Sequence, residues 1–206
     1  MSFSNGFRGT VGGSIQTTYY DDMGKSIPGM LMSASDYNMT DTYFIGETAG
    51  IGAGIGVRLT DATDAFGFQI PSLAAKLPEG DEGENDFGGV IVFDQAMQSD
   101  ENGENGWAYR RPCRVLRPVR TGGRIAVRVV DAVDPTTDTV NWVIDADDAG
   151  TYALGSFVPT ALGGGSAGVS VLLSAARWVS AADAGGIAVI EFLGNSSAVY
   201  NSNSSL

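Results

Sequence analysis

The chain has 206 residues, of which 43% are hydrophobic and 29 are glycine, and 24 acidic residues oppose 12 basic ones. The net charge of −12 argues against ordinary nucleic-acid binding, because phosphate contacts need positive charge in bulk. The sequence contains no histidine, which excludes Ser-His-Asp and Cys-His catalysis and histidine metal sites. The single cysteine, Cys113, cannot form an internal disulfide, as is typical of a chain made in a reducing cytoplasm.

Three segments are predicted along the chain. Residues 1–25 are polar, rich in glycine and dotted with aromatic residues, which predicts an extended arm that orders against a partner. A disordered tail is the alternative interpretation of the same composition. Residues 26–194 form the predicted β-domain, which begins near the turn signal Pro28-Gly29, and residues 195–206 form a polar tail.

Two motifs in the first half of the β-domain resemble ligand loops but lack the full pattern. The run "GIGAGIG" at 50–56 has alternating glycines without the following helix of a dinucleotide site, so we expect a glycine-rich strand or bulge against which another chain packs closely. Nine acids and no Lys or Arg lie between Glu79 and Glu104, but the order of a calcium-binding EF-hand is absent. A solvated loop is the expectation for "KLPEGDEGENDFGG", followed by a short buried strand at Val90–Phe93.

Most of the positive charge lies in one stretch, "RRPCRVLRPVRTGGRIAVRVV", which contains seven of the arginines. In "RIAVRVVDAV" (124–133), Ile125, Val127 and Val129 alternate with Arg124, Ala126 and Arg128, which is strand periodicity. Because the acids of 79–104 lie just upstream, we expect the arginines to pair with carboxylates inside the fold or between identical subunits. A nucleic-acid groove is the less favoured alternative.

Further strands are predicted at 138–145, Ala175–Trp178 and Ile187–Leu193. Short strands at regular spacing, separated by glycine turns and without a convincing helix, predict an all-β fold. The expected architecture is a small barrel or sandwich of short antiparallel strands with an extended N-terminal arm.

Four stretches, in this order, resemble the structural cement, or head decoration, proteins of tailed bacteriophages. They are "SIPGMLMSASD", "FGGVIVFDQ", "YRRPCRVLRPVRTGGRIAVRV" and "ARWVSAADAGGIAVIEFLG", and together they cover roughly residues 26–194. The chain departs from the pattern in its N-terminal arm and in the loop "DDAGTYALGSFVPTALGGGSAG".

The resemblance implies a non-enzymatic protein without a cofactor or metal, made in the host bacterial cytoplasm. It implies a homotrimer that binds the outer surface of the expanded head, bridges major capsid protein subunits and stabilises the shell. Direct contact with nucleic acid or membrane is not expected. We therefore expect an interface that contains Arg114, Arg117, Arg120, Arg124, Arg128 and Trp178.

Two other functions remain open at the level of sequence. One is another virion β-module of a tail or fibre, with a glycan site lined by Trp107, Tyr109, Trp142 or Trp178. The other is a carboxylate glycosidase that uses two acids of 79–104, or of Asp145, Asp147 and Asp148. The glycosidase is the least favoured, because most of these acids lie in predicted surface loops.

Overall fold

The structure is a computed structural model that describes residues 27–32, 36–63, 69–94, 98–99, 105–108, 110–118 and 121–194. The predicted arm, the predicted tail and Arg120 lie outside the described residues. Within the described ranges, the fold is all-β and contains no helix of seven or more residues, which confirms the predicted class.

Within the described residues, one 3-10 turn precedes the first strand at Asp36–Met39, and two more lie between strands at Glu84–Asp86 and Gly165–Ala167. The described strands are β1 (Thr40–Ile45), β2 (Ile51–Gly52), β3 (Gly56–Thr63), β4 (Gln69–Lys76), β5 (Phe87–Ile91), β6 (Gln98–Ser99), β7 (Asn105–Trp107), β8 (Pro112–Leu116), β9 (Arg124–Arg128), β10 (Asn141–Asp145), β11 (Phe157–Val158), β12 (Val169–Leu172), β13 (Ala176–Trp178) and β14 (Ile187–Phe192).

Five strands close into a small barrel in the order β1-β4-β3-β5-β8. The β1–β4 pair is parallel, whereas the other pairs of the barrel are antiparallel. A parallel pair needs a long connection, and here β2 and β3 lie between the two partners in the chain. The barrel interior is filled by a cluster made of Tyr43, Ile45, Ile51, Val57, Ala75, Ile91, Cys113 and Val115.

In the part of the chain that the structure describes, three three-stranded sheets accompany the barrel, in the orders β11-β10-β12, β13-β14-β9 and β2-β7-β6. The first two sheets share a second, larger core with β5 and β8 of the barrel. Val90 and Leu116 point into this second core, while their neighbours Ile91 and Val115 point into the barrel. Strands β5 and β8 are therefore covered on both faces, which explains why burial along β5 is continuous and does not alternate.

The second core is organised around aromatic rings. The ring of Phe87 lies 5.1 Å from Trp142, 6.1 Å from Phe157 and 5.9 Å from Phe192, measured between centroids. Two of these contacts are edge-to-face, the geometry that the ring quadrupole favours. Each of the four rings comes from a different strand, so the cluster joins the barrel to both neighbouring sheets.

The glycine repeat at 50–56 forms close approaches, as predicted, but its neighbours belong to the same chain. Gly54 has a positive φ of 76°, and a Cβ there would lie 2.8 Å from the backbone nitrogen of Gly29. A Cβ on Gly56 would lie 2.7 Å from Nε1 of Trp142. The glycines therefore let segment 27–32 and the aromatic core approach the barrel backbone directly.

Candidate protein-interaction surface

The β13-β14-β9 sheet has one face in the core and one face toward solvent. On β9, Ile125 and Val127 are fully buried, while Arg124 and Arg128 are exposed. Strand register places Glu191 of β14 opposite Arg124, and Arg177 of β13 opposite Glu191. Because side chains alternate along each strand, these charged residues share the outer face of the sheet.

The three side chains form an ion triad across the sheet. Arg124 Nε donates to Glu191 Oε1 at 2.8 Å, and Arg177 Nε donates to Glu191 Oε2 at 2.7 Å. The Nη2 atoms of Arg124 and Arg177 add contacts of 2.7 and 2.5 Å to the same oxygens. The side chain of Glu191 is 7% exposed, whereas those of Arg124 and Arg177 are 48% and 59% exposed. Each guanidinium thus uses two of its five N–H donors on Glu191 and presents much of the remainder to solvent.

The environment of Glu191 shifts its pKa in two opposing directions. Burial raises the pKa of this carboxyl, while the hydrogen bonds from Arg124 and Arg177 and the charges of both arginines lower it. The net pKa lies below the ordinary value for glutamate. The carboxylate therefore stays ionised and cancels one of the two positive charges beside it.

The outer face also carries exposed apolar side chains. Met30, Val179 and Leu193 are three of the six large hydrophobic residues that are exposed in the described ranges. Backbone hydrogen bonds extend the sheet to each of them, from Ala126 N to Met30 O, from Val179 N to Val189 O and from Leu193 N to Ala175 O. The inward neighbours Leu31, Trp178 and Phe192 pack in the core, so alternation turns the three exposed residues outward.

Trp178 differs from its predicted role. Its side chain is 2% exposed and packs in the second core, where Nε1 donates a hydrogen bond of 2.9 Å to the carbonyl oxygen of Thr139. Trp178 follows Arg177 in β13, so its side chain lies on the inner face of the sheet while that of Arg177 lies on the outer face. The indole therefore packs in the core and is not exposed in the single chain.

Two other predicted interface arginines, Arg114 and Arg117, lie in or just after the barrel strand β8, whereas Arg128 ends β9. Arg114 Nη1 donates to Thr40 Oγ1 at 3.4 Å. Arg117 Nη1 donates to the Tyr43 hydroxyl, lies 4.0 Å from Asp41 and places its guanidinium 5.8 Å from the Tyr43 ring centroid. Arg117 is only 14% exposed, so its contacts tie the end of β8 to β1. The predicted set is thus divided between two places, with Arg120 outside the described residues.

Ion pairs inside the fold include Arg124 with Glu191 and Arg117 with Asp41, and the acidic loop contributes pairs to Arg58, which lies outside the arginine-rich stretch. Glu79 and Glu82 of the acidic loop pair with Arg58, with Glu82 Oε1 at 3.4 Å from Arg58 Nε. The expectation of a solvated loop is wrong for Glu82, which is buried. Its carboxylate accepts hydrogen bonds of 2.7 and 2.8 Å from the backbone nitrogens of Glu79 and Gly80, and so closes the loop.

Sequence reasoning missed Arg177 and Glu191 as members of the surface. The sequence did contain one indication, the single acid Glu191 in "IAVIEF". It lies on the same strand face as Ile187 and Val189, in a segment whose other residues are all apolar. An acid at such a position needs a cation beside it. Which cation it meets depends on strand register, which the sequence does not state.

The described part of the chain shows little that would support chemistry or sugar binding. No group of three or more Cys, Asp or Glu residues in it could hold a metal ion. Trp142 and Trp178 are buried and cannot line an open glycan site. Neither the side chain of Trp107 nor any part of Tyr109 belongs to the portion of the chain that the structure describes. In these same ranges there is no helix with the length and hydrophobicity needed to cross a membrane.

The geometry so far defines an all-β protein with a mixed arginine and apolar surface. The sequence matches the model of the structural cement protein family (E217 gp24/Pam3 gp6) over residues 15–193. The chain therefore belongs to this family, and its role is that of a cement protein of a phage capsid. The resemblance predicted from the four sequence stretches is confirmed.

A solved structure titled "The capsid of Myoviridae Phage XM1" contains a chain with the same fold. The TM-score is 0.53 and the sequence identity 15%, over 93% of this chain and 97% of that chain. The similarity in fold thus extends well beyond the similarity in sequence. No curated protein matches the sequence.

Proposed function

We propose that this cement protein binds the outer surface of the expanded phage head and bridges neighbouring major capsid protein subunits. The observation that supports this most directly is membership of the structural cement family over most of the chain. A protein that binds the assembled shell and not the free subunits stabilises the shell by mass action. No enzymatic step is needed for that effect.

The proposed active form is a homotrimer in which residues 26–194 are the binding domain. Three copies that act together bind with high avidity even where each contact is weak. The arm at 1–25 is proposed to reach a neighbouring subunit, where an extended segment adds a strand to an open sheet edge. The polar tail at 195–206 has no assigned contact in this proposal.

Catalysis, cofactors and nucleic acid have no part in the proposed function. The chain has no histidine, and burial raises the pKa of its single thiol, Cys113, to about 12, so no reactive thiolate forms at neutral pH. The net charge of −12 opposes direct contact with packaged DNA. A lone free thiol also agrees with synthesis in the bacterial cytoplasm.

The test is binding of the purified chain to expanded, emptied heads that lack it, counted as copies per shell. We expect saturation at a multiple of three copies per lattice site, together with greater resistance of the shell to heat and chelators. Unexpanded heads are the control and should bind less. Absence of binding, or heads that keep full resistance after the protein is removed, would overturn the proposal.

A further inference from the structure

We propose that the outer face of the β13-β14-β9 sheet forms a head-to-tail seam with an acidic loop on a second copy of this chain. The seam face is defined here as Met30, Arg124, Arg177, Val179 and Leu193, and the acidic loop as residues 145–152. The inference rests on the homotrimer of the proposed function and adds the surfaces that join its subunits.

The seam face has the chemistry of a protein interface. Arg124 and Arg177 are held side by side by Glu191, with 48% and 59% of their side chains exposed. The triad carries a net charge of +1, and its fixed guanidinium groups are oriented before any partner arrives. A guanidinium group that is already held in place loses less side-chain entropy on pairing with a further carboxylate than a mobile arginine side chain does.

Apolar side chains complete this face. Met30, Val179 and Leu193 are exposed beside the triad, where the sheet strands carry them to the same side. A concentration of exposed hydrophobic residues next to arginines is typical of surfaces that are buried in an assembly. The inner side of the same sheet is already packed in the core, and the exposed part of the outer side lies around Arg124, Arg177 and the three apolar residues.

Charge complementarity identifies the occupant as another copy of this chain. Between Val129 and Ala176 the sequence has six aspartates and no Lys or Arg. Asp145 and Asp148 are exposed, and Asp147 accepts a hydrogen bond of 2.6 Å from the backbone nitrogen of Tyr152. The Tyr152 hydroxyl donates at 3.0 Å to Asp131, which adds a fourth carboxylate to the group. The arginines of a neighbour would relieve the mutual repulsion of these charges.

The two surfaces differ in charge, so the contact is heterologous. A symmetric dimer through the seam face would place arginines opposite arginines, which is unfavourable. When the seam face of one copy contacts the acidic loop of the next, the pair still has one unoccupied acidic loop and one unoccupied seam face, to which further copies can bind. Such a chain of contacts closes into a ring when the rotation per subunit allows it, as it does in a trimer.

The test uses two full-length variants and measures their mass in solution by sedimentation equilibrium. The face variant carries Val179→Glu and Leu193→Glu, and the loop variant carries Asp145→Lys and Asp148→Lys. Each should weaken self-association by more than about tenfold, because each loses one side of every contact. An equimolar mixture should form a 1:1 dimer, since the loop variant supplies an intact face and the face variant an intact loop.

A matched control and a second face variant accompany this experiment. Leu172→Glu places the same charge on an exposed leucine of β12, outside the seam face, and should assemble like the wild type. Leu193→Gln alone is the milder face variant if the double variant does not fold. A cooperative urea transition shows that a variant is folded, and its midpoint is compared at a concentration at which all the proteins are monomeric.

Two outcomes would overturn the seam. If the face variant dissociates while the loop variant assembles normally, the interface is not head-to-tail. If wild-type protein is monomeric, or if both variants assemble normally, the seam is absent. Head binding separates this failure from that of the cement proposal. Wild-type protein that binds heads without this seam refutes only the inference, and a seam without head binding refutes only the proposed function.

Discussion

The single carboxylate of Glu191 links three neighbouring strands through its side-chain contacts. It lies in an otherwise apolar strand, 67 residues from Arg124 and 14 from Arg177, and it accepts from both. Each bond to a charged donor contributes more than a neutral hydrogen bond does, and removal of the acceptor leaves two cations without compensation. The carboxylate thereby links β9, β14 and β13 through side chains as well as through the backbone.

Replacement of Glu191 by Gln should lower the free energy of unfolding by about 1.5–3 kcal/mol near neutral pH, because both arginines lose a charged acceptor. The pKa of Glu191 is below its ordinary value, so its contribution is present above about pH 4.5 and is lost as pH falls through the lowered pKa. Wild type should therefore lose more stability on acidification than the variant. Urea unfolding at about pH 7 and about pH 3 measures this.

Asp183→Asn is the control for Glu191→Gln, since it removes one negative charge from an exposed side chain outside the proposed seam. It should change stability by less than about 0.5 kcal/mol. Equal losses from the two substitutions would show that the triad does not stabilise the fold.

At the scale of elements, the segment at 27–32 joins two parts of the molecule. Gly29 N donates to Ala126 O at 2.7 Å, and Phe93 N donates to Gly29 O at 2.8 Å. The segment thus bonds to β9 on one side and to the end of β5 on the other. Its position depends on Gly29, which has a positive φ of 80° and lies against the backbone at Gly54.

Gly29→Ala should destabilise the protein by about 1–3 kcal/mol more than Gly122→Ala does. Both glycines have positive φ, but a Cβ on Gly29 would lie 2.7 Å from Phe93 N, whereas nothing lies within 4 Å of one on Gly122. The difference therefore isolates the cost of the close contact. Amide hydrogen exchange should also become faster at Phe93 and Ala126. Similar losses from both substitutions would mean that segment 27–32 adapts without cost.

At the scale of the whole molecule, the barrel interior is closed to solvent. Cys113 is buried in that interior, and desolvation raises the pKa of its thiol to about 12 despite the opposing hydrogen bonds to Tyr43 and Cys113 backbone atoms. A thiol in this position reacts only when the barrel opens. Because the chain has a single cysteine, thiol modification reports on that opening alone.

We expect a maleimide reagent to label Cys113 at least about a hundredfold more slowly in native protein than in urea. The labelling rate should rise in step with global unfolding as urea increases. Cys113→Ser is the control that removes all labelling. Rapid labelling of the native chain would show that the barrel opens independently of the rest of the molecule.

Much of the fold could be predicted from local pattern. The alternation in 124–133 identified β9, and the apolar run at 187–193 identified β14, because side-chain period is a property of neighbouring residues. The pattern was less informative for β10, where Val140 to Ile144 are all buried. Both faces of β10 are covered by other parts of the structure, so its sequence shows no alternation of apolar and polar residues.

The candidate surface could be predicted only in part. Arg124 and Arg128 were placed on an exposed strand face, as the structure has them. Trp178 was expected at an interface but lies in the core, since alternation separates two faces without stating which one is covered. Glu191 and Arg177 were missed, because their importance comes from being opposite Arg124 across two strand pairings.

The all-β class, the family and the lack of histidine chemistry could be read from the amino-acid sequence, because they follow from composition, local period and the order of short motifs. The folded chain was needed to show which acids meet which arginines, how β1 and β4 close the barrel, and which exposed residues share the outer face of the β13-β14-β9 sheet. Those features depend on strand register between residues far apart in the chain, and register is set by the packing of the whole core.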